Sequence, residues 1–118
     1  MVTTSDELEG HFRALGWTVE RLTGADNASY TVVRNYPIPA GSLAGRECDI
    51  AIGRVTSVPF VLPPVIHTRP ALVPMDMGRY HTQQSPVGAE WQYWSRVLVG
   101  QPSPRAIVAH IATIFSEV

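Results

Sequence analysis

Arg46-Glu47-Cys48-Asp49-Ile50-Ala51-Ile52-Gly53 is the run from which the fold class is read. Cys48, Ile50 and Ile52 alternate with Glu47, Asp49 and Ala51, the period of two that a β-strand shows when one face is buried. The cysteine shares that face with two isoleucines, where a free thiol behaves as a small hydrophobe. Upstream, Trp17 to Leu22 and Tyr30 to Asn35 are rich in strand formers, and Thr23-Gly24-Ala25-Asp26-Asn27 between them reads as a hairpin turn. The next segment, Tyr36-Pro37-Ile38-Pro39-Ala40-Gly41, carries two prolines and so does not continue a central strand. Downstream, a fourth strand falls near Pro64 to Thr68. In this order the strands form a four-stranded antiparallel meander.

Helices flank it. Thr4 and Glu7 fit a capping box, after which Leu8, Phe12 and Leu15 recur at helical spacing until Gly16 supplies a stop. At the other end Ser103 reads as an N-cap and Pro104 as the first helical residue. Ile107, Ile111, Ile114 and Val118 then make one apolar stripe, widened by Val108 and Phe115. Between Arg69 and Pro102 no long periodic pattern runs, although Glu90 to Val99 is apolar enough for a short helix or strand. The expectation is a single α+β domain over residues 1–118: N-terminal helix, four-stranded antiparallel meander, irregular segment, C-terminal helix.

Composition removes several chemistries. The 118 residues carry a net charge of −1, and all nine basic side chains are arginine. Without lysine there is no Schiff base and no Walker-type phosphate lysine. Near-neutral charge argues against nucleic-acid partners. With 45% hydrophobic and 16% charged residues the chain can bury a core. One cysteine excludes an internal disulfide and a C-x-x-C metal site. The four histidines lie in separate segments, with no H-x-x-x-H or H-E-x-x-H pair, so neither a metal nor a cofactor is expected. Met1 to Gly10 lacks the basic start and apolar run of a signal peptide, and no stretch reaches the roughly 18 apolar residues of a membrane span. The expected setting is a reducing, cytoplasmic one, without membrane contact.

Val58-Pro59-Phe60-Val61-Leu62-Pro63-Pro64-Val65-Ile66-His67-Thr68 resembles the Tyr-Pro-Phe-x-Pro-Pro-x-Val turn of ubiquitin-conjugating (UBC-like) enzymes, which leads from their third strand to their fourth. The order of elements from Leu8 to Phe115 is similar as well. The resemblance is closest to a divergent bacterial branch, prokaryotic family E. That branch also has a Tyr-x-Ile/Leu-Pro-x-Gly stretch, here Tyr36 to Gly41, and a His-then-Trp-rich segment, here His81 and Trp91 to Arg96. This chain has one residue more than the usual pattern between Pro-Phe and Pro-Pro. The resemblance implies a UBC-like fold and, as partners, a ubiquitin-like protein and its activating enzyme.

The catalytic motif departs from the family. A thioester cysteine would lie in the irregular stretch after the fourth strand, preceded by His-Pro-Asn, and neither is present. Cys48 lies earlier, on an apolar strand face that would raise its pKa and shield it. The helix start Pro102-Ser103-Pro104 matches the family's Trp-Ser-Pro at two of three residues. Anchored there, the family's cysteine position falls near Trp94 and Ser95. Ser95 is thus the nucleophile type found where a cysteine is expected, and a serine needs a nearby imidazole. His81 is the best-placed one by chain position, and His67 is a second. The competing reading is a structural Ser95 that caps a turn or bonds backbone. Trp91, Trp94 and Arg96, with Pro63 and Pro64, are the candidate binding surface, against a core cluster and a rigid loop. Three functions follow: a carrier that holds the modifier as a serine oxyester, a non-catalytic variant that binds a ubiquitin-like protein or its activating enzyme, or a small helix-flanked sheet domain with no link to ubiquitin chemistry. The absence of lysine fits either coding bias or a carrier without an internal amine acceptor.

Overall fold

The structure, a computed structural model, describes residues 5–54, 65–95 and 103–118. Its elements are α1 (Ser5–Ala14), β1 (Thr18–Thr23), β2 (Ser29–Pro37), β3 (Glu47–Gly53), β4 (Ile66–Arg69), β5 (Thr82–Gln84), β6 (Gln92–Trp94) and α2 (Pro104–Ser116). The strands form one sheet in the order β1-β2-β3-β4-β6-β5, and every neighbouring pair is antiparallel. The α+β class holds, but the expected sheet is corrected from four strands to six. β1 to β4 are the meander. β6 falls within Glu90 to Val99, the run read as a short helix or strand, whereas β5 comes from the stretch expected to be irregular, because three residues are too few for a period of two to stand out.

Both helices supply one core with the sheet's inner face. Leu8 and Phe12 of α1 and Ile107, Ile111, Ile114 and Phe115 of α2 pack with Cys48, Ile50, Ile52, Ile66 and Trp94. The helix α2 starts as its sequence dictates: Ser103 Oγ accepts the Ala106 N–H at 3.1 Å, and Pro104 needs no partner for the donor it lacks. Thr4 of the expected capping box lies outside the described residues. Leu15 is corrected: it is 48% exposed rather than part of the stripe. The helix stops at Ala14, and Gly16 turns the chain at φ +86°. Trp17 takes the vacated place, its ring 5.1 Å from Phe12 and 5.3 Å from Tyr36.

β2 reaches further than its prolines suggested, ending on Pro37 opposite Glu47. A bulge makes this possible. Val33 pairs with Ile50 and Tyr36 with Cys48, so Arg34 and Asn35 together oppose Asp49. Asn35 adopts φ +55°, and its N–H donates to Asp49 Oδ1 at 3.0 Å. Past β2, Gly41 at φ +81° lies against the Phe115 carbonyl, where a Cβ would collide with backbone. Ser42 N–H donates to the Val118 carbonyl at 3.0 Å, fixing the end of α2 to this loop.

The outer face has a smaller cover. Tyr30, Val32 and Ala51 pack there with Val87 and Trp91, which belong to the strap between β5 and β6. The strap is pinned at its tip, where Ala25 N–H donates to the Val87 carbonyl at 2.8 Å.

Candidate functional site

β5 and β6 pair Thr82 with Trp94, Gln83 with Tyr93 and Gln84 with Gln92. One step beyond this ladder, Ser95 N–H donates to the His81 carbonyl at 2.7 Å. The two residues singled out from sequence therefore face each other across the end of the hairpin. Ser95 is half-buried and His81 exposed. The contact is between main chains. Among the described residues neither the Ser95 hydroxyl nor the His81 imidazole has a hydrogen-bond partner, so both are uncommitted.

The loop that delivers His81 is tightly tied. Asp76 Oδ1 accepts the Gly78 N–H at 2.9 Å and the Arg79 N–H at 3.0 Å, while the Asp76 carbonyl accepts the Tyr80 N–H at 2.8 Å. Thr82 Oγ1 donates to the Pro74 carbonyl at 2.8 Å. From β6 the buried Gln92 accepts the Leu72 N–H at 2.8 Å and donates to the Val73 carbonyl at 2.7 Å. His81 ends the loop at φ +56°, a conformation unfavourable for a residue with a side chain.

The other predicted residues scatter. Trp91 and Trp94 are both buried, and they belong to cores on opposite faces of the sheet. Trp94 donates its indole N–H to Thr68 Oγ1 at 2.9 Å and lies 5.7 Å from the Phe115 ring. Trp91 carries the Arg69 guanidinium 4.6 Å above its ring. The two indoles pack, and they do not share one exposed patch. Arg96, Pro63 and Pro64 lie outside the described residues. Cys48 is buried in the inner core, and burial, helped by the charge of Asp49, pushes its thiol up to about 12.

His67 turns out to be occupied. It is buried on the outer face, with Nδ1 2.7 Å from Ser85 Oγ and the rings of Tyr30 and Tyr93 each 5.4 Å away. Ser85 Oγ also accepts the Val87 N–H at 3.1 Å. Burial pulls the His67 imidazole down to about 4, against a smaller upward pull from Asp26. His67 is a neutral structural group, which leaves His81 as the histidine beside Ser95.

Sequence reasoning passed over two polar groups. Ser85 gives no signal at all, since its partner is set by strand order. Glu9 sits among the apolar residues of α1, one after Leu8, and is 1% exposed. Thr31 Oγ1 donates to it at 2.6 Å, Arg54 Nε at 3.0 Å and Arg21 Nη2 at 3.0 Å. Burial pushes this carboxyl up, but the bonds from Arg21, Thr31 and Arg54 together outweigh it and hold the group below the usual carboxylate value. A charged residue on the buried stripe is the signal that would have found it.

Among the described residues no cluster of three His, Cys, Asp or Glu side chains is placed to hold a metal ion. No described helix is long and apolar enough to cross a membrane. The fold and site define an α+β domain with two helices over one face of an antiparallel sheet and, at a hairpin end, a serine and a histidine whose side chains have no hydrogen-bond partner among the described residues. No family model, curated protein or solved structure matches the chain.

Proposed function

We propose that the domain is a UBC-like component of a bacterial ubiquitin-like conjugation pathway, and that it carries the modifier as an oxyester on Ser95. The observation that supports this most is the juxtaposition of Ser95 with His81, neither side chain having a hydrogen-bond partner among the described residues, at the end of a hairpin tied by hydrogen bonds. The run of helix, antiparallel strands and terminal helix is in keeping with a UBC-like fold. Cys48, buried with its thiol pushed up to about 12, is unsuited to thioester chemistry. The partners are a ubiquitin-like protein and its activating enzyme, and the setting is the cytoplasm.

In the transfer, Ser95 Oγ attacks the carbonyl carbon of the modifier's thioester on the activating enzyme. His81 accepts the hydroxyl proton, the Oγ–C bond forms, the C–S bond breaks, and the proton passes to the departing sulfur. The absence of lysine leaves no side-chain amine on the carrier itself to intercept the ester.

The test is reconstitution of the full chain with a bacterial activating enzyme and its ubiquitin-like protein, read on denaturing gels with and without hydroxylamine. The expected result is a hydroxylamine-labile adduct that Ser95→Ala abolishes, His81→Gln slows and Cys48→Ala leaves intact. An adduct that survives Ser95→Ala overturns the oxyester. A stable complex without any adduct would assign the domain instead to non-catalytic binding.

A further inference from the structure

We infer that Gln83 is the hydrogen-bond donor that stabilises the oxyanion during acyl transfer to Ser95. The inference rests on the oxyester reading above. Attack on a thioester carbonyl drives negative charge onto its oxygen, and a fixed donor at that point is among the largest contributions a site can make. The main chain at this corner does not supply it directly, because Ser95 N–H is already bonded to the His81 carbonyl at 2.7 Å.

Side-chain donors nearby are mostly spent. The Trp94 indole N–H is bonded to Thr68, the Gln92 amide to the Val73 carbonyl at 2.7 Å, and the Gln84 amide to the Gly88 carbonyl at 2.8 Å. Tyr93 packs its ring on His67 of β4, the neighbour on the side away from β5. Gln83 differs. It is exposed, and among the described residues its carboxamide has no hydrogen-bond partner. Its cross-strand partner is Tyr93, and Ser95 follows Tyr93 by two positions, so strand alternation puts Gln83 and Ser95 on the same side of the hairpin. They are diagonal neighbours, a relation that spans about 7–8 Å and is within reach of a long side chain. As Ser95 Oγ bonds to carbon, the carbonyl π pair moves to oxygen and is held by Gln83 Nε2–H. When that pair returns, the C–S bond breaks and the thiol leaves with the proton His81 took.

The full chain is given the benzyl thioester of acetyl-glycylglycine, and acylation is followed by thiol release and by intact mass. Gln83→Leu is expected to lower the acylation kcat by roughly 100-fold to 1,000-fold with KM unchanged. Gln83→Glu should be slower still, since it sets like charge against the oxyanion, and Tyr93→Phe should react as the parent does. An unaltered rate in Gln83→Leu, with Ser95→Ala inactive, overturns the Gln83 assignment and leaves the oxyester standing. Acylation that persists in Ser95→Ala, or none in the parent chain, counts against both. Gln83 is exposed, so each variant is expected to keep the parent's thermal midpoint, which is checked alongside.

Discussion

On the helix-covered face, Leu8, Phe12, Ile50, Ile66, Ile107, Ile111 and Phe115 exclude water through apolar contact. On the opposite face two apolar residues of a short strap, Val87 and Trp91, share the cover with a buried histidine–serine pair. The first arrangement tolerates exchange among apolar residues of like volume but not a change of volume. The second depends on hydrogen-bond partners being in one protonation state, since an unpaired polar group in a dry place is costly. Salt bridges at the strap's border follow a third rule. Arg34 bridges Glu20 and Asp49 at 3.3 Å each and is open enough to water for little net gain, while Arg69 reaches the more buried Asp49 at 2.8 Å.

The contrast is most easily broken on the helix side. Phe115→Ala removes a fully buried ring that touches Tyr36 and Trp94, and should cost about 3–5 kcal/mol in urea unfolding at neutral pH. Its effect should be the same at pH 7 and pH 5. If it fell sharply with pH, the helix side would share the titration assigned to the strap.

Acid should act on the strap. His67 titrates near 6.5 when unfolded and near 4 in the fold, so the unfolded chain binds the proton more tightly. Its contribution is therefore complete above about pH 6.5 and is lost as pH falls toward 4. Between pH 7 and pH 5 this amounts to about 2 kcal/mol of stability. Glu9, held below 4.5, contributes at lower pH: its share is present above that value and disappears as pH drops through its folded pKa. Urea curves at the two pH values check the first effect, and His67→Gln should flatten the difference between them. A slope that survives this substitution would place the titrating group elsewhere.

The smallest effect sharpens the third rule. Arg34→Gln should change stability by less than about 1 kcal/mol, and less again in high salt. A larger cost would mean that the Asp49 cluster holds the bulge as well as bordering the strap.

These differences also explain what could be read before the fold was known. β3 was legible because Cys48, Ile50 and Ile52 face one core and strict alternation follows. The stripe of α2 was legible for the same reason at a period near 3.6. β5 was not, and the Glu90 to Val99 run was legible only as a short helix or strand, since the places of β5 and β6 are set by pairing with β4 and with each other rather than by their own pattern. The site was partly legible. Ser95 comes from the family resemblance, through its spacing to the start of α2, and His81 from chain position; a main-chain bond one step beyond the ladder makes them neighbours. Trp91 and Trp94, three residues apart, looked like one aromatic group, but a strand sends them to opposite faces. The partners of His67 and Glu9 come from distant strands, and no local spacing encodes such pairs.

The bulge in β2 bears on how relatives of this chain should be sought. Arg34 and Asn35 share one partner, so Val33 and Tyr36 reach the same core although a plain alternation would separate them. What the core requires there is a count: two residues opposite Asp49, between the core positions Val33 and Tyr36. A search that scores uninterrupted alternation loses phase at Asn35, whereas one that allows a single extra residue at this point regains it for Tyr36.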